Sequence, residues 1–189
     1  MDPAKMQEII RRKRTEESIR MDFEGTLHAR VERYLQVKPH EIVPYTHFAS
    51  PLAECSLLYR DGHYYGCIAS VQAVTEALVK YMCKKKTVKP ANSFEKNLDT
   101  LLKRDFISSE LHDRMIEIWK DRDDYHHLNP SVEKDRQKLQ HIALAKTSFL
   151  IQVISDIFAF SIVNGSLVPR DPIYWETNGP TANVYLSIE

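Results

Sequence analysis

From residue 4 to residue 35 the chain is built mostly of good helix formers, and Phe23, Leu27, Val31 and Leu35 return every four positions. That repeat keeps side chains near one side of a 3.6-residue helix, so the stretch predicts a helix with one apolar stripe. Its first half carries Arg11, Arg12, Lys13 and Arg14 with few apolar neighbours, which predicts an exposed arm. Pro39, Pro44 and Pro51 then interrupt any regular pattern and predict an extended connector. Ser50 and Pro51 supply an N-cap and first-turn pair for a short helix that stops at Asp61-Gly62. The following segment, HYYGCIASVQAVTEALVKYMCKKK, is small or apolar on nearly all sides and predicts a central buried helix.

Asn92 with Glu95 three residues on predicts a capped start for a helix whose stripe is Phe94, Leu98, Leu101 and Leu102. A new helix begins at Ser108 or Ser109 and runs inward on Leu111, Met115, Ile118 and Trp119, to end or kink at Asn129-Pro130. Ser131 is the expected cap of a long helix reaching Val163 and closed by Asn164-Gly165. The proline-rich end is expected to pack as an extended segment or short strand. The predicted fold class is therefore all-α: an antiparallel bundle of four to five helices over residues 48–164, with an N-terminal helical arm and connector over 1–47 and an extended C-terminal tail over 165–189.

Composition narrows this further. Five glycines in 189 residues are too few for an all-β chain full of tight turns. With 26 basic and 26 acidic residues no global field draws the chain to nucleic acid, so any such binding needs a local basic patch, such as Lys84, Lys85 and Lys86 or Arg11 to Arg14, or one shared by two subunits. Three cysteines without a Cys-x-x-Cys pair predict buried thiols in a reducing, cytoplasmic setting. The most apolar run, FLIQVISDIFAFSIV, is short and contains Asp156, so a core helix is expected and no membrane contact.

One cluster carries candidate chemistry: WKDRDDYHHLNPSVEKD, residues 119–135. Arg122 and His127 lie more than a turn apart and would not share a face of an ideal helix, but a kink before Asn129-Pro130 could turn both into one groove. The same spacing recurs at Arg136 and His141. Arg122 differs in being followed by Asp123 and Asp124, short carboxylates able to orient a guanidinium or imidazole, and in lying near a helix end. A zinc site from Cys83, His112, His126 and His127 is disfavoured because adjacent histidines rarely ligate one ion; neither metal nor cofactor is expected. Tyr64, Tyr65 and Trp119 read as packing residues, and Glu76 as either cleft-facing or solvated.

The stretch RDDYHH, together with the preceding HYYGCIASVQAVTEALVKYM, resembles the HEPN domains, small helical bundles many of which are metal-independent ribonucleases. Arg122, Asp123 and His127 match their arginine, polar residue and later histidine, and Tyr64, Gly66 and Glu76 match the helix before it; the resemblance spans roughly residues 48–163. It implies a homodimeric endoribonuclease with His127 as acid or base, Arg122 as phosphate clamp and Asp123 as orienting partner. His126, Glu76, Lys84, Lys85 and Lys86 become candidate RNA contacts, and the products a 2′,3′-cyclic phosphate and a 5′-hydroxyl. It also implies a toxin or defence effector held by an antitoxin or regulatory protein. The alternative is a HEPN-like module that binds RNA or nucleotide without cutting, or a helical scaffold. Asn129 stands where the nucleotidyltransferase-paired branch carries tyrosine, which argues against a partner of that kind.

Overall fold

The computed structural model describes residues 2–37, 42–175, 177–178, 181–182 and 184–186. The chain is mostly helical, and among the described residues only two-stranded sheets lie beside the helices. The first helix, α1 (Pro3–Gln36), is capped by the Asp2 carboxylate, which accepts from the Ala4 amide at 3.0 Å. It has no buried residue and docks only through its last turns. There the Arg33 Nε donates to the Arg60 carbonyl at 2.7 Å, and Gln36 accepts from the Tyr59 hydroxyl at 2.7 Å. The docked side is the side of Arg30 and Arg33, so Phe23, Leu27, Val31 and Leu35 remain exposed at 44–70%.

A short strand β1 (Ile42–Pro44) leads to α2 (Ala49–Arg60), then α3 (Tyr64–Lys85), α4 (Phe94–Lys103) and α5 (Ser109–Trp119). Helix α3 is the central one, as its composition predicts: Cys67, Ile68, Val71, Leu78, Val79 and Cys83 are fully buried. It packs against α2, α4, α5 and the last long helix, α7 (Arg136–Ile157); between α5 and α7 lies α6 (Arg122–His127). Caps differ in detail from the sequence reading. Helix α2 begins at Ala49, ahead of Ser50, and Ser93 rather than Asn92 caps α4 through the Lys96 amide at 3.3 Å. Ser108 caps α5 as expected, while Asp135, not Ser131, caps α7 by accepting from the Lys138 amide at 2.9 Å.

The largest correction concerns the end of α7. It stops at Ile157, and residues expected to be helical form a hairpin of β2 (Phe160–Val163) and β3 (Ser166–Pro169). Asn164 and Gly165 have φ of 50° and 77°, and Val163 pairs with Ser166. Two positive φ values in a two-residue loop make a type I′ turn, whose twist suits β-branched and aromatic flanks such as Phe160, Ile162 and Val163. Beyond it Tyr174 and Trp175 are buried, Trp175 meeting Phe158 at 6.2 Å and Phe160 at 5.9 Å between ring centroids. The Tyr81 hydroxyl donates to the Tyr174 carbonyl at 2.6 Å, fixing this part of the tail on α3. Strands β4 (Thr177–Asn178) and β5 (Thr181–Ala182) pair with one another, and β6 (Val184–Leu186) runs antiparallel to β1. The tail thus closes back on the connector.

Candidate functional site

The site is made where α5 breaks. The sequence reading carries this helix on to Asn129-Pro130, but Asp121 adopts a left-handed conformation (φ 57°, ψ 24°) and a separate helix, α6, starts at Arg122. Two buried polar side chains hold the break. Lys146, on the inward face of α7, donates to the carbonyls of Glu117, Ile118 and Lys120 at 3.0, 2.7 and 2.8 Å. The amide of Gln72 on α3 donates to those of Ile118 and Lys120, both at 3.1 Å. A helix C-terminus leaves carbonyls without intrahelical partners, and here a cation and an amide from two other helices satisfy them. Burial lowers the Lys146 pKa from 10.5 to about 8, against the opposing pull of Asp121 and Glu117.

Helix α6 is closed by a second left-handed residue, Leu128 (φ 50°, ψ 48°). Asp124 folds the following loop back, accepting from Ser131 Oγ at 2.7 Å and Asn129 Nδ2 at 3.1 Å; these bonds lower its pKa. Tyr125 is the buried anchor of α6, with its ring 6.4 Å from that of Tyr65.

Arg122 and His126 are four residues apart and so share a face of α6. The Arg122 guanidinium lies over the Trp119 ring, 5.3 Å from its centroid, and Trp119 stacks on Phe94 at 4.2 Å. One Arg122 nitrogen, Nη1, donates to Asp123 at 3.0 Å. Arg122 Nε and His126 Nε2 are buried and have no hydrogen-bond partner among the described residues. Desolvation is the first cause that lowers the His126 pKa below its ordinary 6.5; Arg122 and His127 push it further down, while Glu76 and Asp123 pull it up. The lowered pKa favours the neutral imidazole of His126 at pH 7, with Arg122 and Glu76 in electrostatic reach. His127, one residue on, is turned about 140° from Arg122 around the helix and is exposed.

The other expected site residues divide. Glu76, bonded to Lys80 at 2.6 Å, lines with Lys80, Lys84 and Lys85 a groove of about 1030 Å³ along α3, which Tyr45 and His47 also line. Lys86 turns away: it pairs with Asp171 at 3.3 Å and lies over the rings of Phe106 and Tyr174. Arg122 and Asp123 edge a separate hollow of about 600 Å³, which Glu95 and Trp119 also line. Arg136 donates to the Gly62 carbonyl at 3.2 Å and covers Tyr64, so it is engaged in packing. Among the described residues no three His, Cys, Asp or Glu side chains gather where a metal could be held. The three cysteines are buried and free, and desolvation raises the pKa of each, that of Cys67 to about 11, which withholds the thiolate.

Lys80, Tyr45 and His47 had no motif to announce them. Lys146 and Gln72 did carry a signal. Each falls on the buried phase of its helix, with Leu139, Ala143 and Leu150 in one case and Ile68, Val71 and Thr75 in the other. Compared with family models, curated proteins and solved structures, the chain finds no match in any of the three. No helix among the described residues is long and apolar enough to cross a membrane.

Proposed function

We propose that this protein is a metal-independent endoribonuclease of the HEPN type, with Arg122 and a histidine of α6 as its catalytic pair. The observation that carries the reading is the pair of buried, unpartnered nitrogens, Arg122 Nε and His126 Nε2, on one face of α6. Arginine keeps its charge and presents a planar fork to two phosphate oxygens, so it suits the phosphorane formed during cleavage. A neutral imidazole can take the proton of the 2′-hydroxyl as that oxygen attacks phosphorus. The leaving 5′-oxygen then needs a proton from a second group, which a facing copy of the same site would supply in a homodimer. Asp123 holds the guanidinium until a phosphate displaces it.

Residue counting favours His127, whereas the shared face and the depressed pKa favour His126 for proton abstraction. The test is cleavage of a labelled structured RNA in EDTA by wild type and by Arg122→Ala, His126→Ala and His127→Ala. Wild-type cleavage leaving cyclic-phosphate ends is expected, with losses of about 10²-fold to 10⁴-fold in Arg122→Ala and His126→Ala and a smaller one in His127→Ala. The pH–rate profile should be bell-shaped: its acid limb falls below pH 6.5, the ordinary histidine value, because the His126 pKa is lowered, and its alkaline limb marks loss of the proton from the facing acid. A folded wild type that leaves RNA intact, or equal cutting by all four proteins, rejects the nuclease and leaves the binding or scaffold reading.

A further inference from the structure

We infer that the groove along α3 binds single-stranded RNA, with Tyr45 as a base-stacking platform and Lys80, Lys84 and Lys85 as its phosphate contacts. The inference rests on the nuclease reading for the identity of the polymer. It rests on the groove itself for the strandedness.

Three observations carry it. The first is local charge: a chain with no net charge sets three lysines against one glutamate in this groove. Lys84 makes no ion pair among the described residues, and Lys80 and Lys84, one turn apart on α3, stand about 6 Å apart along the helix axis, a step suited to successive phosphates of an extended strand. The second is aromatic surface in the same groove. Tyr45 is 64% exposed in the segment between β1 and α2, with exposed His47 two residues on, so aromatic side chains line the groove together with the lysines. Bases splayed from a single strand can stack on such faces, whereas the bases of an A-form duplex are stacked on each other. The third is proximity. Glu76 lines the groove and lies within electrostatic reach of His126, and α3 packs against α6, so the Glu76 end of the groove is the end nearer α6.

Ala73 and Ala77, one turn apart on α3, also line the groove, and their small side chains let a backbone approach the helix.

The experiment is fluorescence anisotropy with a short fluorescein-labelled oligouridylate, alone and annealed to its complement, using full-length His126→Ala in EDTA so that cutting does not confuse binding. The single strand is expected to bind at least about tenfold tighter than the duplex, and adding Tyr45→Ala to weaken it about tenfold while Tyr45→Phe does not. Replacing the three lysines by alanine should reduce the salt dependence of log affinity by about 2, the release expected for three single-strand phosphate contacts. Equal binding of duplex, indifference to Tyr45→Ala, or equal competition by polyglutamate would overturn the inference. Binding as expected with an uncutting wild type removes the nuclease and keeps the groove. Cutting by wild type with no effect of Tyr45→Ala removes the groove alone.

Discussion

Lys146 and Gln72 share two acceptors, so their removal should be strongly non-additive. Lys146→Met keeps the stem volume and removes the ammonium. It leaves the carbonyls of Ile118 and Lys120 bonded to Gln72 and strands only that of Glu117. A fully buried stranded acceptor costs about 1–3 kcal/mol, but the Glu117 carbonyl is only part-buried and relief of the Lys146 charge offsets part of the loss, so about 1 kcal/mol is expected. Gln72→Leu strands no carbonyl, because Lys146 still serves both, and about 1 kcal/mol is expected. The double variant strands all three carbonyls at the end of α5 and should lose about 4 kcal/mol or more, a coupling of at least about 1 kcal/mol. Urea unfolding of the four proteins, read by circular dichroism, gives the cycle. Additivity within about 0.3 kcal/mol would mean that the two side chains do not share the break, and the account of how α6 is set would fail.

The same residue sets a pH signature. Its folded pKa of about 8 lies below the ordinary 10.5, so between these values the unfolded chain binds the proton more readily. Stability should rise with pH across that window and fall as pH drops through 8, and Lys146→Met should lack the slope.

Two further outcomes are expected. His112 sits between Asp99 at 3.1 Å and Asp113 at 3.0 Å; burial pulls its pKa down, but the two carboxylates outweigh it and the net shift is upward. Its stabilisation is therefore full below pH 6.5 and lost as pH rises through the raised value, a slope that His112→Asn should flatten in urea titrations at stepped pH. Gly165, at φ 77° with open space around a would-be Cβ, is needed for conformation alone, so Gly165→Val should weaken the β2–β3 hairpin by about 1–2 kcal/mol, read as faster amide exchange at Ser161 and Val168, whose amides face the partner strand.

The elements that sequence periodicity could show were those with long, one-sided or all-round apolar patterns. Helix α3 is central and largely buried and the first half of α1 is exposed, and both patterns were plain in the residues; the apolar stripe of Phe23, Leu27, Val31 and Leu35 did not show that the second half of α1 stays exposed as well. What was hidden lay where two signals competed. Asn164-Gly165 reads equally as a helix stop and as a hairpin turn; only the flanking Phe160, Ile162 and Val163 favour the second, because they are poor company for a helix end and good company for paired strands. The break at Asp121 had no proline or glycine to mark it. It is imposed by Lys146 and Gln72, residues 25 and 49 positions away in the chain, so no window along the sequence could contain its cause.

That distant cause decides which histidine faces Arg122. Counting along the chain treats His126 and His127 as neighbours with nearly equal claims, but a helix separates neighbours by about 100°. Once α6 is fixed as a helix that begins at Arg122, the fourth residue on returns to the arginine's face and the fifth overshoots it. Burial then follows phase: His126 is drawn in beside Arg122 and within reach of Glu76, its pKa falls, and His127 is left in solvent. The pairing of Arg122 with His126 is thus a consequence of where α5 is forced to stop, and a change that lets α5 run on through Asp121 should separate the pair without touching either residue.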